Sequence, residues 1–342
     1  MTAPSSAPLR ITIAGASSLL GKEVTELMAS SGLPAHELRL LDDAALEGTL
    51  TEAEGEPALI RGLLPGSFDD ARLVFFAGLE EFTARHWGEA ERAGADVIDL
   101  SGGLSGVRRA LPSIASLDDT LSPARPLARK LVRAPGASVI VAATVAVALR
   151  MLPVRRIAAT IFHSVSESGQ AGIDELEAQT ASLLSFQPIA REVFDAQVAF
   201  NLLDRYGESC RERLEDVRAR ISRDLADYLG YRAPMPAVQV IQAPVFYGAA
   251  FSVGVEFDGP LPEDSVHDAL AGVGVVVGAD SPSNTSVAGS AEIHVTLRAD
   301  ANLPMIWWIW GAVDNVRLAA QNAVRIAERI CASENGSQPA VA

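Results

Sequence analysis

The chain has 342 residues, 49% hydrophobic and 21% charged, with 27 glycines and 19 prolines, which excludes a disordered or fibrous chain and suggests two domains at roughly 100 to 200 residues each. Its 28 Lys and Arg against 43 Asp and Glu give a net charge of −15, which repels a phosphate backbone and argues against nucleic acid as a partner. The two cysteines, Cys210 and Cys331, form no Cys-x-x-Cys pair, so a disulfide framework is excluded and a reducing, cytoplasmic compartment fits.

Met1 to Pro8 lacks a basic segment followed by an apolar run, so no secretory signal is read there. Leu9 to Ala14 predicts a strand that runs into Gly15-Ala16-Ser17-Ser18-Leu19-Leu20-Gly21, followed by a helix over about Lys22 to Ser30. Apolar runs at Leu38 to Leu41, Leu73 to Ala77 and Val97 to Leu100, with a helical stretch at Glu80 to Ala93, predict a Rossmann-type doubly wound parallel sheet. This first domain is expected over 1–134.

Ala137 to Leu149 is the longest apolar stretch, shorter than the ~18 to 20 residues that cross a hydrocarbon core, and predicts a buried helix with no membrane span. From Arg155 the texture becomes α+β. Strands are expected at Ile157 to Ser164, Ala237 to Ile241, Phe251 to Phe257, Val273 to Val277, Ala291 to Leu297 and Met305 to Trp310, and helices at Gly172 to Leu184 and Glu208 to Leu229. A second, α+β domain is expected over 135–311. A last amphipathic helix, from Ala312 to Ile330, is expected to return to the first domain as residues 312–332, and 333–342 to fray.

A glycine loop that opens a helix binds phosphate through bare backbone amides and the positive helix end. Here the middle glycine is Ser18, and Gly15 and Gly21 remain. The loop therefore reads either as a nucleotide site or as a structural strand-to-helix turn. Asp42 and Asp43 end the second strand, where an acid suits a ribose diol and repels a 2′-phosphate, favouring NAD over NADP. The alternative is a pair of solvated loop acids.

Gly15-Ala16-Ser17, Ala77-Gly78, Val97-Ile98-Asp99-Leu100-Ser101, Ala199-Phe200-Asn201, Pro244-Val245 with Gly248, Asp314-Asn315, Ala319-Ala320-Gln321-Asn322 and Ala327-Glu328 occur in the order found in one family. In these pieces the chain resembles the aspartate-semialdehyde dehydrogenases over about residues 9 to 330. The resemblance implies a homodimer and a reaction in which an acyl phosphate is reduced by NADPH through a cysteine thioester, with a histidine assisting. It also implies Gly15, Ser17, Ser18, Leu19, Gly21, Gly78, Ser166, Gly169 and Asn315 as the cofactor-binding positions.

The family's cysteine stands in a Pro-Asn-Cys-Ser motif at the start of a buried helix, where the positive helix end favours a thiolate. Here that stretch is Pro135-Gly136-Ala137-Ser138. Ala137 has no nucleophile, and Ser138 needs a general base, whereas the position matching the catalytic histidine is Ala249. The substrate-binding glutamine aligns with His163, and the arginine that grips the substrate carboxylate aligns with Gln242, which cannot form a charged fork. A phosphate-binding arginine is replaced within Leu104-Ser105-Gly106, with Arg108 and Arg109 close by. The Glu-Glu-x-Lys run falls on Val217 to Arg220, placing Arg218 on an acid and keeping a cation at Arg220. The Ser-Gly-x-Gly loop reads Ser166-Glu167-Ser168-Gly169, where the glutamate adds bulk and repulsion toward a pyrophosphate.

The remaining histidines, His36, His86, His267 and His294, lack metal-ligand spacing, and no metal is expected. Trp308 and Trp310 should share one strand face and Trp307 the other, in core or subunit packing. Leu214, Val217, Ile221 and Leu225 form one helical stripe that covers a sheet or meets a subunit. The expectation is a cytoplasmic homodimer of the USG-1-like kind within this family, without dehydrogenase activity, with weakened affinity for NAD or NADP and an unidentified protein partner. The alternative is an active NAD(P)-dependent oxidoreductase of the same superfamily that works without cysteine, with His163 as acid or base rather than as a satisfied core or cleft histidine.

Overall fold

A computed structural model describes residues 8–53, 55–122 and 131–335. These form two compact units: one from the chain up to Ala115, Ser122–Pro135 and the chain from Ala319 on, the other from Ser116–Leu121 and Gly136–Leu318.

The first unit contains β1 (Leu9–Ala14), α1 (Leu19–Met28), β2 (His36–Asp42), a hairpin of β3 (Leu50–Ala53) and β4 (Glu56–Leu59), β5 (Arg61–Gly62), β6 (Leu73–Phe76), α2 (Glu80–Arg92), β7 (Asp96–Asp99), β8 (Leu111–Pro112) and β9 (Leu131–Arg133). Seven strands form a parallel sheet in the order β5-β2-β1-β6-β7-β9-β8. Central parallel strands are covered on both faces, so they tend to be apolar on both sides rather than alternating; β6 shows this, with Leu73, Val74, Phe75 and Phe76 all fully buried. Ile13 and Phe75 belong to the apolar cluster on one side, and Val74 and Phe76 to the cluster on the other.

The second unit contains α3 (Asp118–Leu121), α4 (Ala137–Leu149), β10 (Val154–His163), α5 (Gly169–Leu184), α6 (Leu214–Leu229), β11 (Ala237–Gln242), β12 (Ala249–Phe257), α7 (Glu263–Ala271), β13 (Val276–Val277), β14 (His294–Ala299) and β15 (Ile306–Val313). Its sheet has the order β11-β10-β12-β15-β14-β13. A helix apolar all round must be interior, and every residue of α4 is buried. The stripe Leu214, Val217, Ile221 and Leu225 is buried too, on an α6 that packs against α4 and β11. Along β12 buried residues alternate with half-buried ones, as in a sheet with one covered face. Trp307 on β15 lies on the covered face, and Trp308 and Trp310 lie 40% and 37% exposed on the other.

The last helix, α8 (Asn315–Asn335), begins in the second unit, and from Ala320 to Ile330 its apolar side joins the core of the first. It starts later than Ala312 because Ala312 and Val313 are still paired to β12. Ser333 is helical rather than frayed, and 336–342 lie outside the described residues.

Other boundaries move for local reasons. α1 starts at Leu19 rather than Lys22 because Ser18 caps it. α6 starts at Leu214, with Arg213 extended at φ −82° and ψ 140°, so Glu208–Arg213 is not helical. Val273 to Val275 wind off the end of α7, whose apolar side, Val266 and Leu270, is too short to stand out by periodicity, and β13 keeps only two residues. The expected strand at Ala291 likewise begins at His294.

Candidate functional site

In the first unit the strand order reverses between β1 and β6, and open α/β sheets hold ligands at the strand ends beside such a reversal. Gly15 follows β1 with φ +87°, and a Cβ there would lie 2.2 Å from the Gly78 nitrogen after β6. The close approach of the two backbones requires Gly15, and a Cβ on Gly78 would make a tight 3.2 Å contact with the Gly15 α-carbon. Gly21 is needed for the same reason, since its Cβ would lie 2.2 Å from the Gly15 carbonyl oxygen. Ser18 takes the glycine position without closing the loop: its Oγ accepts from the Gly21 amide at 2.8 Å and donates to the Ala77 carbonyl at 2.7 Å. Among the described residues the Leu19 and Leu20 amides, at the positive end of α1, have no acceptor.

Asp42 is buried, and its carboxylate accepts from the Ser17 and Asp43 amides, each at 2.8 Å. The solvated-acid reading is therefore wrong for Asp42 and right for Asp43, whose side chain is 58% exposed. The Leu104 stretch holds no cation. Leu104 is fully buried with its amide on Asp99 Oδ2 at 2.8 Å, and burial pushes the Asp99 carboxyl up against the hydrogen bonds from Ser101 and Leu104. Arg109 is engaged on α2, 2.7 Å from Glu91 and over the Trp87 ring.

In the second unit the start of α4 and the end of β10 bring the substituted positions together. Ala137 is the first residue of α4, and the next residue, Ser138, places Oγ 2.7 Å from His163 Nε2. Gln242 lies opposite His163 in the β10–β11 register, and Ala249 lies one step beyond the Phe162–Ala250 pair of β10 and β12. Ser138 finds a hydrogen-bond partner in His163, at the glutamine position, and none in Ala249. Burial lowers the His163 pKa from its ordinary value of 6.5; Glu167 and Glu212 oppose this and Arg220 reinforces it. His163 is therefore neutral at neutral pH.

Both Nε2 hydrogens of Gln242 are bonded within the unit, and its Oε1 already holds one donor. Its Oε1 accepts from the Tyr206 hydroxyl at 2.7 Å, and its Nε2 donates to the carbonyls of His163 at 3.1 Å and Ala243 at 2.8 Å. It is a clamp between two strands. Arg220 pairs with Glu212, and Arg218 lies 3.9 Å from Glu215.

Asn315, Ser166 and Glu167 form a second cluster in this unit. The Asn315 Oδ1 accepts from the Gly248 amide at 2.9 Å and Ser166 Oγ at 3.2 Å, while its Nδ2 donates to Glu167 Oε1 at 3.0 Å. The asparagine side chain is satisfied within the unit, and the exposed Glu167 that replaces a glycine is tied to it. Gly169 turns into α5 at φ +70° with open space around its α-carbon.

Two features escape the sequence reading. Tyr206 sits in an irregular segment with no periodicity, and burial pushes its hydroxyl pKa up, which keeps it a donor to Gln242. Glu175 and Gln179 are buried on α5, where their four-residue spacing was legible but reads as a solvated face. They organise the segment before α6: Glu175 accepts from the Glu192 and Val193 amides, and Gln179 from those of Val198 and Ala199.

Among the described residues no group of three His, Cys, Asp or Glu is placed to hold a metal, and no helix is long and apolar enough to cross a membrane.

A family profile described as the semialdehyde dehydrogenase dimerisation domain matches residues 146–318. A USG-1 protein homologue of Pseudomonas aeruginosa is 32% identical over 94% of this chain and 98% of its own length. Aspartate-semialdehyde dehydrogenase 2 of Vibrio cholerae is 28% identical, over 93% of this chain and 96% of its own. Among solved structures, one from Pseudomonas aeruginosa described as a probable aspartate-semialdehyde dehydrogenase superposes with a TM-score of 0.84 at 32% identity, covering 94% and 98% of the two chains. The Vibrio cholerae aspartate semialdehyde dehydrogenase II complexed with ASA gives a TM-score of 0.80 at 26% identity, covering 95% and 98%.

Proposed function

The chain belongs to the aspartate-semialdehyde dehydrogenase family, together with the USG-1 homologues, and from that premise we propose that it is a homodimeric member that does not reduce acyl phosphates or oxidise semialdehydes. The observation that carries this reading is Ala137 at the first position of the buried helix α4. A thioester cannot form on a methyl group, and the helix end that would favour a thiolate has none to act on. Cys331 is buried on α8, and Cys210 lies in the irregular segment before α6 with its thiol pushed up by burial. Neither supplies the missing sulfur at α4. Substrate recognition is lost with it, because Gln242 spends its amide on Tyr206, His163 and Ala243.

A dinucleotide fits the first unit better than this chemistry fits the second. Gly15, Gly78 and Gly21 keep the backbone approach that a pyrophosphate needs, and the Leu19 and Leu20 amides, with Ser17 and Ser18 beside them, face it from the start of α1. Asp42 closes β2 with a buried carboxylate, which favours a ribose diol and disfavours a 2′-phosphate. Bound there, a nicotinamide dinucleotide would supply a hydride acceptor or donor. Ser18 stands at the middle position of the loop in place of a glycine, so weak binding is expected.

Calorimetric titration in parallel should give weak binding of NAD and at least tenfold weaker binding of NADP, and aspartate semialdehyde with phosphate and either dinucleotide should give no reduction at high protein concentration. Steady turnover would overturn the reading and support an active oxidoreductase that works without cysteine. Binding of NADP tighter than NAD would overturn the role given to Asp42.

The open face of the second unit's sheet supports the homodimer. Trp308 and Trp310 project from β15 there, near the Phe162 ring, whose centroid is 6.4 Å from that of Trp310. Large exposed aromatic patches mark interfaces, and the matched profile is named for dimerisation. Replacing Trp308 and Trp310 together by lysine should give a folded monomer by light scattering, while the parent chain elutes as a dimer.

A further inference from the structure

Within α4 two hydroxyl residues are buried, and they solve the problem of burial differently. Thr144 bonds back to the Ile140 carbonyl at 2.7 Å, the usual solution inside a helix. Ser138 is 5% exposed and has its hydrogen bond instead with His163 Nε2, 2.7 Å away on a separate element. The cap position before α4 is Gly136, which has no side chain, so Ser138 is not spent on capping.

We infer that Ser138 and His163 are a nucleophile and general base that transfer a short, uncharged acyl group from an activated ester to water. At 2.7 Å the bond is short enough for Oγ to pass its proton to Nε2 in the tautomer that carries its own proton on Nδ1. The amides of Val139 and Ile140 turn back to the Gly136 carbonyl, whereas among the described residues those of Ala137 and Ser138 have no acceptor. They lie at the positive end of α4, where negative charge on a carbonyl oxygen is stabilised. The substrate class follows from the neighbours. Ala137 and Ala249 are small, Gln242 offers no charge, and Arg220, the cation that acts on His163, is paired with Glu212, so among the described residues the surroundings suit an uncharged acyl group better than a carboxylate or phosphate.

The reaction balances with water as the only co-reactant. As Ser138 Oγ attacks the acyl carbon, its proton passes to His163 Nε2; the bond to the leaving oxygen breaks, and that oxygen takes the proton from the imidazolium. This leaves an acyl-serine and an alcohol. Water then attacks the acyl carbon, giving its proton to His163, and the acid departs as Ser138 Oγ takes that proton back. The step needs His163 neutral, which its burial favours; the charged groups that act on it are Glu167, Glu212 and Arg220.

A fluorophosphonate probe, which forms a stable bond only with activated serines, tests this on the full chain without any nicotinamide, so the result is independent of dinucleotide binding and of dehydrogenase turnover. Mass spectrometry of peptides should place one adduct on Ser138, and p-nitrophenyl acetate should release a burst of one p-nitrophenolate per chain. His163→Gln should slow labelling at least ~100-fold, as loss of a general base does, with the fold checked by circular dichroism. Labelling of the parent chain should persist as the pH falls to 6.5 and decline only below it. No adduct on Ser138 in the folded parent chain, or an adduct formed equally fast in folded His163→Gln, would overturn the assignment and leave the pair as a packing contact.

Discussion

Replacing Gln179 by leucine should cost the second unit roughly 2 to 6 kcal/mol, because two fully buried amides, those of Val198 and Ala199, would lose their acceptor at about 1 to 3 kcal/mol each. The Ala190 and Ala196 carbonyls would lose their donor as well. Leucine has nearly the volume of glutamine, so the loss would be in hydrogen bonding rather than in packing. The check is urea unfolding, where the midpoint should fall with little change in slope. A loss under 1 kcal/mol would mean that water replaces the side chain. The effect should also reach the site. Tyr206 packs edge-on against Phe194 in the segment that Glu175 and Gln179 hold, and its hydroxyl holds Gln242 beside His163. Labelling of Ser138 is therefore expected to slow in this variant even at temperatures where it stays folded.

Gly15→Ala should be the most damaging single-methyl change in the first unit. Forcing a non-glycine residue to φ +87° costs on the order of 1 to 3 kcal/mol. The added Cβ would also fall 2.2 Å from the Gly78 nitrogen and 2.3 Å from its Cα, atoms that cannot move without displacing the end of β6. Together these should lower stability by roughly 3 kcal/mol or more and abolish the calorimetric signal for NAD. Gly88→Ala is the contrast. That glycine is inside α2 with nothing within 4 Å of an added Cβ, so alanine should stabilise by about 0.5 to 1 kcal/mol. If both changes had the same small effect, the close approach of the two strand ends would not be what requires Gly15.

The parts legible in the sequence are those where a short stretch carries its own reason. Leu73 to Ala77 reads as a buried strand because a parallel sheet covered on both faces needs uninterrupted apolar residues, and Val97 to Leu100 reads likewise with Asp99 as its one break. Ala137 to Leu149 reads as a core helix because its apolar residues leave no solvated side, and its ends match α4 without adjustment. Trp307 parts from Trp308 and Trp310 because strand side chains alternate. Boundaries were less legible where a single bond decides them. The hydroxyl of Ser18 moves the start of α1, and pairing to β12 holds Ala312 in a strand.

The site divides along the same line. Missing side chains are visible in a sequence, so Ala137, Ala249 and Gln242 were already legible as departures from the family's residues. How the remaining side chains are arranged was not. Ser138 and His163 are 25 residues apart, on a helix and on a strand, and only the packing of α4 beside β10 sets them 2.7 Å apart. Asp42 could be solvated or buried until its distance to the Ser17 amide was known. Glu175 and Gln179 show helical spacing and polarity, which alone indicate an exposed face; the segment folded over them turns that face inward. Composition and periodicity depend on near neighbours in the chain and so determine elements, while the short motifs in their order carry the resemblance to the family. Hydrogen bonds between distant residues depend on how those elements pack, which is why the tertiary structure alone decided which of the surviving groups can act together.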